Sequence, residues 1–159
     1  MAKFGSDFIS GIFHPDGIRF KLIDPFSYQT DINPESFGYT IEYLRKDKNG
    51  LLWIDIPSGF VTDFASSPQF IWSIVPSIGR HSRASIVHDF IYGYNKEGKP
   101  WADKVFFEAM TVDKTSTFVK YACYYTVRLM GRKAWDACTK DKGKDIIKDK
   151  NWLNWNISI

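Results

Sequence analysis

The chain has 159 residues, enough for one domain with a substantial core. Hydrophobic residues make up 44% and charged residues 25%, a balance that argues against disorder. The formal net charge of +3 is too small to point to nucleic acid, so no specific nucleic-acid partner is expected.

Residues 1–62 read as strands and turns. The opening run Met1-Ala2-Lys3-Phe4-Gly5 has no apolar signal core. Ile18 to Ile23 alternates apolar and polar residues with period two. Tyr39–Leu44 and Leu51–Ile56 flank a turn containing Asn49-Gly50, a pair that accepts the positive φ of tight hairpins. Pro57-Ser58-Gly59 turns the chain again, and Phe60-Val61 is expected to pair briefly with a sheet edge.

From Ser67 the period changes. Ser67-Pro68 reads as an N-cap and first-turn proline, and Pro76 ends that short helix. Ser82 caps the next helix and Gly93 ends it, with Ala84, Val87, His88 and Ile91 forming one stripe. Pro100 opens a third helix whose stripe is Asp103, Phe106, Phe107 and Met110. A long helix is predicted from about Ser116 to Ala134, burying Phe118, Ala122, Tyr125 and Leu129 and wetting Lys120, Tyr124, Arg128 and Arg132. Lys120 and Arg128 interrupt its apolar run, so no transmembrane segment is expected. Cys123 and Cys138 stand about 22 Å apart if helical, too far for a disulfide.

The period switch predicts a single α+β domain, with a small N-terminal antiparallel sheet packed on a C-terminal half of three to four helices. Residues 1–62 are its strand-rich part and 63–138 its helical part. Residues 139–159 form a charged tail of interspersed lysines and aspartates that ends near Trp152 and Trp155.

His88 and Asp103 fall on the apolar stripes of consecutive helices, where an unpaired polar group is costly. Each can satisfy the other. A neutral imidazole oriented by a carboxylate can act as a general base, so His88, Asp103 and Tyr92, which shares the His88 face, are the catalytic candidates. Asp89 lies about 100° around the helix from His88 and is the candidate cation ligand. The competing reading is a polar network that locks two helices together. Asp63 lies where strands give way to helices and is a site candidate or a turn cap. Arg80 could bind an anion, pair with an aspartate or be an ordinary surface arginine. His14 and His81 are isolated and receive no role.

Several segments occur together in order: Pro57–Phe60, Thr62–Pro68, Gly79-Arg80, His88-Asp89-Phe90-Ile91-Tyr92, Ala102–Phe106, Met110 and Arg128–Trp135. Together, over about residues 55–136, they resemble the domain of unknown function 1353 family, found mainly in tailed bacteriophages and prophages. A more local resemblance joins His88-Asp89 with Tyr92 and Ala102-Asp103 with Phe106, which is similar to the core of phospholipase A2 enzymes. It implies His88 as base, Asp103 as its partner and Asp89 as a calcium ligand. The glycine-rich calcium loop of that pattern has no counterpart upstream.

These readings lead to a bacteriophage virion or morphogenesis component in a tail, baseplate or neck, carrying a His–Asp site. Its partners would be other virion proteins in an oligomeric assembly, and its location the virion, or the host cytoplasm before assembly. The alternative is a phage-encoded, phospholipase A2-like hydrolase acting on the host envelope, with calcium as the only cofactor suggested. A binding module for an anionic envelope component is a third reading.

Overall fold

The structure, a computed structural model, describes residues 1–15, 19–62, 79–94 and 98–140, with side chains through residue 136. Among them the strands are β1 (Lys3–Phe4), β2 (Gly11–Phe13), β3 (Phe20–Leu22), β4 (Phe26–Thr30), β5 (Arg45–Lys46), β6 (Leu52–Ile56) and β7 (Val61–Thr62). The helices follow as α1 (Ser82–Tyr94), α2 (Lys99–Val112), α3 (Thr117–Met130) and α4 (Arg132–Lys140). The class is α+β as expected. Its strands divide into two antiparallel sheets rather than one, in the orders β1-β4-β6-β5 and β2-β3-β7.

Alternation decides which faces are buried. In β4, Phe26 and Tyr28 point inward, and across the ladder Ile56 and Ile54 pair with them. Asp55 points out, where its carboxylate accepts from Ser27 and Arg45. The expected hairpin forms, but the strand leading into its turn is only Arg45–Lys46. Tyr39–Leu44 is not a strand. Its partly buried side chains instead pack on the core, Tyr43 edge-on to Phe90 of α1. Asp47 explains the shift, because its carboxylate accepts from the Asn49 and Leu51 N–H groups and from Trp53 Nε1. Gly50 then takes the positive φ of +79° that the turn requires. The brief pairing expected at Phe60-Val61 falls one residue later, with Val61–Thr62 paired to β3.

Several ties dock the sheets on the helices among the described residues. Trp101 of α2 is fully buried and donates from Nε1 to the Ile32 carbonyl at 2.9 Å. Glu108 of α2 accepts from the Thr30 hydroxyl at 2.8 Å and the Asp31 N–H at 2.9 Å. Arg83 of α1 pairs with Asp113 at the end of α2, donates to the Ser6 carbonyl and lies over the Phe4 ring.

The helical half departs from expectation in two places. Ser82 does not cap α1 in the usual sense; it is the first helical residue, and its hydroxyl accepts from the Gly79 N–H. The long helix is broken at Gly131 into α3 and α4, and the face of α3 is inverted. Cys123 and Val127 are buried, whereas Phe118, Tyr125 and Leu129 are exposed. Lys120 and Tyr124, expected to be wet, lie partly buried against Phe107 of α2. Small side chains at the contact let α3 approach α2 closely, and bulky ones would hold the helices apart. The short helix expected after Ser67, the tail from residue 141, and Trp152 and Trp155 lie outside the described residues.

Glu108→Ala is expected to lower the unfolding free energy by about 1–3 kcal/mol, because it strands the Thr30 hydroxyl and the Asp31 N–H. Urea unfolding followed by tryptophan fluorescence measures it, and unchanged stability would remove Glu108 from the docking role.

Candidate functional site

His88 lies on the buried stripe of α1 with Ala84, Val87 and Ile91, all fully enclosed. Asp103 lies one turn into α2, also fully enclosed. His88 Nε2 stands 3.1 Å from Asp103 Oδ1, so the expected pair forms. The same oxygen accepts from the Tyr92 hydroxyl at 2.7 Å. The other oxygen, Oδ2, accepts from Lys99 Nζ at 2.8 Å and lies 3.5 Å from Arg128 Nη1. Lys99 also donates to the Val127 carbonyl at 2.7 Å. Side chains of α1, α2 and α3 thus converge on one carboxylate.

Aromatic rings close the site. Phe106 stacks on the His88 imidazole at 4.5 Å between centroids, and Tyr92 lies tilted against it at 4.1 Å. Trp135 of α4 meets the Tyr92 ring edge-on. Gly131 makes that approach possible, since a Cβ there would stand 2.3 Å from the Val127 carbonyl oxygen and 3.0 Å from the Tyr92 hydroxyl.

The charge states follow from these contacts. Burial lowers the His88 pKa, and the bond to Asp103 only partly opposes it, so the imidazole is neutral. Burial alone would raise the Asp103 carboxyl, but the bonds from His88, Lys99 and Tyr92 outweigh it and hold it below its ordinary value. Burial raises the Tyr92 phenol, which stays protonated and donates. A neutral His88 bonded to a carboxylate must carry its proton on Nε2. Its Nδ1 is then a bare lone pair, buried and without a hydrogen-bond partner among the described residues.

Asp89 faces elsewhere, and its Oδ2 accepts from the Thr62 hydroxyl, which ties α1 to β7. Calcium takes 6–8 oxygen ligands. Among the described residues, no group of three or more His, Cys, Asp or Glu side chains could hold a metal ion. Arg80 is exposed in the turn before α1 and takes no part in the Asp103 cluster. Asp63 lies outside the described residues.

Lys99 and Arg128 were not singled out from the sequence. Lys99 carried a signal, because it precedes Asp103 by four residues, the spacing of a helical ion pair. Arg128 is exposed, as expected for the wet face, with 39% of its side chain accessible, and its Nη1 also reaches Asp103 Oδ2. No helix of the described residues is long and apolar enough to cross a membrane.

The family model described as "Protein of unknown function (DUF1353)" matches residues 39–127, more than half of the chain, and the chain belongs to that family. The match begins at Tyr39, earlier than the quoted segments suggested, and stops before Arg128–Trp135. The chain is also 29% identical over 97 residues to "Uncharacterized protein y4jT" of Sinorhizobium fredii. That stretch is 60% of this chain but 29% of the relative, so the chain spans less than a third of that protein's length. No solved structure matches the chain significantly.

Asp103→Ala is expected to cost about 3–5 kcal/mol in urea unfolding, since it leaves the buried Lys99 ammonium without its counter-ion. The double variant Asp103→Leu with Lys99→Met should recover part of that loss, as it removes both charges. Additive losses would show that the two groups are not coupled.

His88 also predicts a pH dependence. Its folded pKa lies below 6.5, so the unfolded chain takes up the proton more readily. Its contribution is complete above pH 6.5 and is lost as pH falls below that value toward the folded pKa. His88→Gln should flatten this part of the Tm profile between neutral and mildly acidic pH. An unchanged profile would mean that His88 is not the responsible group.

Proposed function

We propose that this DUF1353 protein is a bacteriophage virion or morphogenesis component, and that its His88–Asp103 pair is an internal tie between helices. The observation that carries the structural role is the enclosure of the pair. Both side chains are fully buried, and each Asp103 oxygen is already engaged by donors of this chain. A general base must reach the proton it removes, and a carboxylate that also holds Lys99 and Tyr92 is committed to packing. The phage assignment rests on the family resemblance of the ordered sequence segments. In this reading the protein joins other virion proteins at a tail, baseplate or neck, after assembly in the host cytoplasm.

One observation favours the hydrolase reading. The Nδ1 lone pair of His88 is unpartnered among the described residues while Asp103 holds the opposite nitrogen, which is the electronic arrangement of a poised base. Enclosure by Phe106 and Tyr92 weighs against it.

Particles purified from the phage that encodes the chain should contain it in fixed stoichiometry by quantitative mass spectrometry, or should fail to assemble when its gene is deleted. Normal assembly of particles that lack the protein would defeat the proposal. With millimolar calcium, the purified protein should release no fatty acid from phospholipid vesicles. Release that vanishes in His88→Gln, with Tm retained, would establish the hydrolase instead.

A further inference from the structure

Among the described residues, the inverted face of α3 carries a row of exposed apolar side chains. Phe118, Tyr121, Tyr125 and Leu129 are spaced at i, i+3, i+7 and i+11, which places them on one side of the helix. Their exposures are 69%, 44%, 55% and 79%. Isolated apolar side chains on a surface are ordinary, but a contiguous stripe marks a contact site. The stripe is also ordered. Tyr121 packs edge-on to Phe107 of α2 at 5.2 Å and stacks with Tyr125 at 6.0 Å, and Tyr124 meets Tyr125 at 5.5 Å.

The border of the stripe is cationic. No residue of α3 is acidic. Lys120 lies over the Phe107 and Tyr121 rings, and Lys104 over Tyr124. Arg128 keeps 39% exposure, and Lys114 and Lys133 are exposed at the ends of the helix. The acids that flank α3 in the chain are engaged, Asp113 by Arg83 and Asp136 by Arg132.

We propose that the exposed face of α3 docks on an anionic lipid surface, with Phe118, Tyr121, Tyr125 and Leu129 inserted at the headgroup level and the surrounding lysines and arginines on the lipid phosphates. Charge complementarity selects this occupant. A second copy packed on the same face about a two-fold axis would bring the basic border against itself. On a lipid surface, apolar insertion and attraction to anionic headgroups add together. At 14 residues, about 21 Å, α3 is too short to span a bilayer and would lie flat. The inference goes beyond the proposed function and is independent of whether the His88 site is catalytic.

Co-sedimentation of the full chain with vesicles tests it. Vesicles of equimolar phosphatidylcholine and phosphatidylglycerol should bind the protein, whereas pure phosphatidylcholine should bind it far more weakly. Raised salt should weaken the binding. Phe118→Ser with Leu129→Ser should weaken it about tenfold and leave Tm unchanged, because both side chains are exposed. Lys133→Glu should weaken it while leaving the apolar stripe intact. Absence of binding to the anionic vesicles overturns the proposal, as does equal binding by the double variant. A wild-type dimer in sedimentation velocity that the double variant abolishes, without vesicle binding, would assign the face to a second copy.

Discussion

A carboxylate buried at the crossing of three helices must be satisfied completely, and Asp103 imposes that condition on the helical half. Its two oxygens take the imidazole and phenol of α1, the ammonium at the start of α2 and the guanidinium of α3. Each donor reaches it only if its helix has the right rotation and the right rise. A slip of one residue in any helix would leave a charge or a hydroxyl unpaired in a low-dielectric site. Apolar side chains of equal volume could give similar stability. They would not single out one arrangement in the same way, since apolar contacts are less directional. The hub therefore acts on the uniqueness of the packing as well as on its strength.

The remaining packing extends from that hub in two directions. Toward α4, the Val127 carbonyl that accepts from Lys99 also accepts from the Gly131 N–H, so the ion pair and the break between α3 and α4 share an atom. Gly131 has no Cβ to strike that carbonyl or the Tyr92 hydroxyl, and Trp135 can then close on Tyr92. Toward the sheets, Asp89 follows His88 on α1 and takes the Thr62 hydroxyl of β7. One helix thus carries adjacent polar residues with opposite duties: His88 binds the other helices and Asp89 binds a strand.

Much of this was legible in the sequence. The stripe positions of His88 and Asp103 called for a partner for each, and on consecutive helices the two could satisfy each other, as they do. The α+β class followed from the switch of period near Ser67, and the hairpin from Asn49-Gly50. The strand expected at Tyr39–Leu44 failed because alternation records only which side chains are buried. Tyr43 is partly buried by packing on Phe90, with no ladder required. A lysine is seldom buried, and only a carboxylate four residues on, with the Val127 carbonyl of α3, makes the burial of Lys99 tolerable.

The face of α3 was misread for a different physical reason. Hydrophobicity predicts that a stripe will be covered, but not by what. Phe118, Tyr125 and Leu129 form the more apolar stripe, so burial was assigned to them. The opposite face holds Cys123 and Val127, small enough for α3 to approach α2 while Lys120 and Tyr124 cover Phe107 with their aliphatic stem and ring. The Asp103 hub reinforces that choice, since Arg128 reaches Oδ2 only when α3 turns this way. Polar satisfaction inside the molecule and apolar exposure outside it are therefore one constraint. Rotating α3 to hide its aromatic stripe would withdraw the Arg128 guanidinium from Asp103 and the Val127 carbonyl from Lys99. The exposed stripe is the consequence of a satisfied core, which is why it persists on the surface.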